Sequence, residues 1–101
     1  MLLRRRDGWA RERFHRWWLD EHVPLVKILP GLRRYHVCLV TGSTSHPGHE
    51  PWDGLAELYF DDRAALDAAW SSPVGRVALA HSRESHSDRL ALITEEHEII
   101  A

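Results

Sequence analysis

The chain has 101 residues, a net charge of −2 and 15 acidic against 13 Lys and Arg residues. That length holds one domain, residues 1–101, with a single two-layer core. The acidic balance argues against a phosphate-backbone binder despite Arg4-Arg5-Arg6 and Arg33-Arg34, so nucleic acid is not an expected partner. The single cysteine, Cys38, rules out an intrachain disulfide and predicts a reducing, cytoplasmic setting. Its apolar neighbours predict a buried, inert thiol. No apolar run approaches the roughly 20 residues that cross a bilayer, and no apolar core follows the N-terminal basic residues, so neither a membrane partner nor a signal peptide is expected.

Met1 to Arg6 predicts a short, late-starting strand before the Asp7-Gly8 turn. Residues 10–23 predict an amphipathic helix, because Phe14, Trp17, Trp18, Glu21, His22 and Leu25 recur at three- and four-residue steps. Asp7 is a plausible N-cap, and Glu12 and Arg16 are spaced to pair. Pro24 lacks an amide hydrogen and clashes with the preceding turn, so the regular helix should end or kink near Val23. A further turn then runs to Leu29 and closes at Pro30-Gly31.

Leu32 to Val40 reads as a strand, with Tyr35, Val37 and Leu39 on one face and His36 and Cys38 on the other. Thr41 to Trp52 is a Gly-, Ser-, His- and Pro-rich loop. Asp53 to Phe60 is a second strand. Asp61 or Asp62 caps a helix to Trp70, and Ser72-Pro73 restarts a short helix to about Ala80. His81 to Ser87 reads as a loop, and Arg89 to Ile100 as a closing strand. The order is β-α-β-β-α-β, which predicts an α+β, ferredoxin-like fold with an antiparallel sheet and both helices on one face. The other face is expected to carry Tyr35, Val37, Leu39, Leu55 and Tyr59. Such a face is too apolar to stay wet, which predicts a homodimer with two sheets face to face.

The stretch FHRWWLDEHVPLVKILPGLRRY resembles the EthD family through Phe14, Trp18, His22, Pro24, Pro30-Gly31 and Tyr35. DGLAELYFDD, SSPVGR and Glu95-Glu96 fit the same pattern, so the resemblance covers nearly the whole chain. It implies a dimeric α+β barrel and a cofactor-independent enzyme. It also implies pocket roles for the residues at His22 and Tyr35, as in methylmuconolactone-type isomerases. Two departures stand out. Cys38 falls on the opposite strand face from Tyr35, and Ala10-Arg11-Glu12-Arg13 stands where relatives often carry a Ser-x-x-Glu capping box.

His22 has two readings: an acid or base in an apolar cleft, or a structural histidine tying a broken helix end to the sheet. Tyr35 is either a hydroxyl donor to a developing oxyanion or a core aromatic. Trp18 and Tyr59 are expected to wall the pocket. Glu57 is a pocket acid or an intersubunit partner for Arg33 or Arg5. The His46/His49 and His81/His86 pairs are read as exposed loop histidines, so no metal is expected. These residues suit isomerase, lyase or monooxygenase-like chemistry on a small, oxygenated, partly apolar molecule. The alternative is a non-catalytic dimer that binds such a molecule.

Overall fold

A computed structural model describes residues 1–101. Four strands, β1 (Leu2–Arg5), β2 (Arg34–Leu39), β3 (Gly54–Tyr59) and β4 (His86–Leu90), form one antiparallel sheet in the order β2-β3-β1-β4. Both crossovers between its halves are helical, so this is the α+β, split βαβ arrangement that the element order predicts. The final strand is shorter than expected: β4 begins at His86, and residues 91–101 have no regular structure.

The first helical crossover is continuous but not uniform. α1 (Arg11–Arg16) passes into a π-helical segment, Trp17–His22, and then into α2 (Val23–Val26). The sequence predicts a kink here but not a change of helix type. Pro24 supplies the reason. It cannot donate to the carbonyl of Asp20, and its ring would clash there. The turn before it widens, and Val23 donates its N–H to the carbonyl of Trp18, five residues back. Lys27 then returns to Val23, four residues back. The position before α1 is Ala10, which caps nothing, so Asp7 is not the N-cap. Glu12 and Arg16 form no ion pair. Arg11 instead bonds Glu50 at 2.7 Å and holds the end of the 41–52 loop on the helix.

The second crossover is α3 (Arg63–Ser71) and α4 (Pro73–Ser82). Asp62 caps α3 through the N–H of Ala65, and Ser72 caps α4 through that of Gly75. α4 reaches Ser82, so His81 is helical and not in a loop.

Strand register corrects the assignment of faces. Directly paired residues of an antiparallel ladder share a face. Tyr35 pairs with Leu58, Val37 with Ala56 and Leu39 with Gly54. These residues look toward the helices, where Leu3, Phe14, Trp17, Trp18 and Ala56 form the larger core cluster. The open face carries Arg34, His36, Cys38, Leu55, Glu57 and Tyr59. Odd-numbered residues of β2 stand opposite even-numbered residues of β3, so the expected grouping of Tyr35 with Leu55 and Tyr59 does not form. Cys38 is exposed rather than buried for the same reason. The open face is therefore mixed in polarity, not the apolar surface expected.

Trp18 lies flat enough on the sheet that a β-carbon at Gly54 would overlap its six-membered ring. Gly31, at φ +77°, turns the chain from α2 into β2, a conformation that side-chain-bearing residues rarely adopt. A second cluster, Val26, Leu29, Ala69 and Ala78, joins α2 to α3 and α4.

Candidate functional site

The π-helical segment does more than interrupt the helix. In an α-helix residue i+5 lies about 140° around the axis from residue i. The i→i+5 hydrogen-bond register brings the two onto one side. Trp17 and His22 are such a pair, and their rings stack at 4.8 Å with 15° between planes. His81, in the last turn of α4, stacks on the same indole at 5.0 Å and 15°. The two imidazoles lie side by side, 12° from parallel, with Nδ1 to Nδ1 at 3.0 Å. One Nδ1 must donate and the other accept, so the two tautomers are complementary. His22 is buried, 5% exposed. Burial is the main reason its pKa falls to about 4, and the neighbouring His81 and His86 add to the effect. His22 is therefore neutral at physiological pH.

A cavity of about 650 Å³ lies beside this pair. Trp9, Trp17 and His81 line it with Arg6, Arg13, Arg16 and three carboxylates, Asp20, Glu21 and Glu84. Arg13 lies over the Trp9 ring at 4.2 Å. A smaller groove of about 270 Å³ between α2 and α4 is apolar, formed by Leu25, Ile28, Pro73, Val74 and Val77.

The residues singled out in the sequence fall in three places. His22 belongs to the Trp17–His81 stack. Trp18 and Tyr35 belong to the interface of helix and sheet, where burial raises the Tyr35 pKa and the Trp18 indole opposes that rise. The Trp18 N–H is buried without a hydrogen-bond partner of good geometry. No hydrogen bond joins Tyr35 to His22. Glu57 and Tyr59 are on the open face, where the Tyr59 hydroxyl donates to Glu57 at 2.6 Å. That bond, with a second carboxylate from Glu96, raises the Tyr59 pKa. Within the chain neither expected arginine reaches Glu57. Arg33 pairs with Asp61 and Arg5 with Asp53, each at 2.9 Å.

The sequence reading puts His81 and His86 in an exposed loop, whereas His81 lies in α4, His86 opens β4, and both are half-buried. A signal for His81 exists: Val74, Ala78 and His81 recur at four- and three-residue steps, which puts His81 on the inward face of any helix that extends that far. His46 and His49 remain in the exposed loop. His22 and His81 supply two nitrogens, and no group of three or more His, Cys, Asp or Glu is arranged to hold a metal ion.

Pro24→Ala is expected to undo this local geometry. The restored amide can bond the Asp20 carbonyl, and the π-helical segment relaxes to α. His22 then leaves the Trp17 stack, and its pKa climbs toward 6.5. A histidine NMR titration of the variant checks this.

Sheet order, helix placement and connectivity define an α+β protein of the split βαβ class. The EthD domain model matches residues 6–89, and the chain belongs to that family. A crystal structure of an ethyl tert-butyl ether degradation (EthD) family protein from Bacillus halodurans C-125 superposes with a TM-score of 0.79 at 25% identity, covering 94% of this chain and 93% of that one. No curated protein matches the sequence. No helix is long and apolar enough to cross a membrane.

Proposed function

We propose that the chain is a cofactor-independent enzyme of the EthD type, with His22 at the centre of its acid–base machinery. Its substrate is a small, oxygenated, partly apolar molecule, and its chemistry is of the isomerase, lyase or monooxygenase-like kind. One observation carries the reading: a buried, neutral imidazole paired at 3.0 Å with a second imidazole beside a cavity of substrate size. A neutral base of this sort can accept a proton without first losing one.

The resemblance implies that Tyr35 acts as oxygen-stabilising donor. Its position beside Trp18 supports a packing role instead, so Tyr35→Phe should leave turnover largely intact. Trp18 does not line the cavity, and its place in the core supports a packing role. Glu57 and Tyr59 fit an intersubunit role on the open face. A homodimer in the form of a dimeric barrel suits the family, and the exposed Leu90, Leu92, Ile93, Ile99 and Ile100 offer apolar area for it. Sedimentation is expected to show a dimer at micromolar concentration, and a stable monomer there contradicts this assembly. A reducing compartment, the cytoplasm, fits the single exposed thiol.

The second reading is a non-catalytic dimer that binds a small molecule. It is favoured by the separation of His22 from Tyr35, which leaves no hydroxyl donor bonded to the base. A panel of small lactones and phenols separates the two. The enzyme gives product that His22→Ala abolishes while fold and dimer persist. The binding protein gives ligand-dependent thermal shifts without product. Neither product nor shift from any compound sinks both.

A further inference from the structure

We propose that His81 is the ligand-facing imidazole of this site and that His22 is the positioning residue that orients it. The inference rests on the acid–base reading above and changes which ring meets the ligand. His81 lines the cavity, whereas His22 does not and is 5% exposed. Trp17 stacks on both rings and fixes their planes. The two Nδ1 atoms are committed to each other, and the His81 Nε2 has no protein partner.

Burial keeps His22 neutral, and the shared proton can then sit on either Nδ1. In the arrangement proposed, His22 offers its Nδ1 lone pair. His81 then donates its Nδ1–H to that lone pair. A neutral His81 holding its proton on Nδ1 must present a bare Nε2. The lone pair facing the ligand is therefore a base, held in the required tautomer by a neutral partner rather than by a carboxylate.

The step balances without an oxidant or reductant. An O–H bond, or a C–H bond next to a carbonyl, breaks in the ligand. Its proton goes to Nε2 of His81, and the electron pair stays on the ligand as an oxyanion. The reverse transfer returns the proton at the same or another atom. Asp20, Glu21 and Glu84 line the same cavity and support the imidazolium, while Arg13 and Arg16 support the oxyanion. The ligand class is thus a small weak acid, phenolic or enolisable, with its acidic hydrogen at the cavity end near α4.

The test is nitrogen NMR on the full chain with 15N-labelled histidine, at a pH where both rings are neutral. In the wild type the His81 ring is expected to be protonated at Nδ1 and bare at Nε2. His22→Phe keeps an aromatic ring over Trp17 but removes the acceptor, and His81 is expected to switch to the Nε2–H form. His22→Gln offers an amide oxygen, and the Nδ1–H form is expected to return. Diethyl pyrocarbonate modification, read residue by residue, is expected to label His81 faster than His22 in the wild type. A wild-type His81 protonated at Nε2 overturns the proposal, and so does faster labelling of His22. Both wild-type readouts stand if a variant fails to fold. They also do not depend on turnover, so failure here is distinguishable from failure of the enzymatic reading.

Discussion

Replacing Trp18 with alanine is expected to lower stability by about 3–5 kcal/mol, the range for losing a large buried aromatic. Trp18 is 1% exposed and sits between Phe14, at 5.5 Å edge to face, and the sheet at Gly54. The surface that it covers belongs to both layers, so no neighbour can close the gap without moving a strand or the helix. The same contact can be attacked from the sheet. Gly54→Ala pushes a methyl group into the indole ring, and overpacking of this kind costs about 1–3 kcal/mol. Urea denaturation of the single variants and of Trp18→Ala/Gly54→Ala measures both effects. The added methyl should be partly accommodated once the indole is gone, so the double variant is expected to lose less than the sum of the singles.

His22 is expected to make stability depend on acid. Its folded pKa, about 4, lies below the 6.5 of an unperturbed histidine. The unfolded chain therefore binds a proton that the folded chain refuses between those values. The contribution is fully present above about pH 6.5, declines as pH falls, and is exhausted below about pH 4. A tenfold difference in proton affinity is worth about 1.4 kcal/mol, so the total is about 2–3 kcal/mol after allowance for solvent at the partly accessible ring. His22→Phe carries no such proton. The stability gap between wild type and His22→Phe, measured by urea at pH 7 and pH 4.5, is expected to move by about that amount in favour of the variant in acid. A gap that stays constant removes the buried-imidazole account.

Much of this fold is legible in the residues. Alternation in β2 and β3, the caps at Asp62 and Ser72, and the proline break at Pro24 are short-range signals, and each marks its element. Register is a different kind of information. The two faces of β2 can be told apart from alternation, but which face pairs with which set in β3 depends on a long loop that fixes no spacing. Alternation alone therefore puts Tyr35 on the wrong side of the sheet. The π-helical segment is equally hidden, since its side-chain spacing overlaps that of an α-helix and only the hydrogen bond from Val23 to Trp18 distinguishes them. That bond decides what His22 touches. The pairing with His81 joins two residues 59 positions apart, and no local pattern reports it.

Leu92, Ile93, Ile99 and Ile100 are apolar residues suited to a strand, which is why the sequence predicts a closing strand longer than β4. They are exposed on a segment that joins no strand of the sheet. Their apolar character is the strongest reason in the sequence to look for a second subunit.

A buried imidazole, paired directly with a second one beside Trp17, is held neutral at the heart of this site. The pH titration of the His22 ring by NMR in the intact protein tests this most directly. A midpoint near 4, with Trp17 ring-current shifts on both His22 and His81, is the predicted result. A midpoint at the ordinary histidine value of 6.5 contradicts it, because such a ring is solvated and free of the pair.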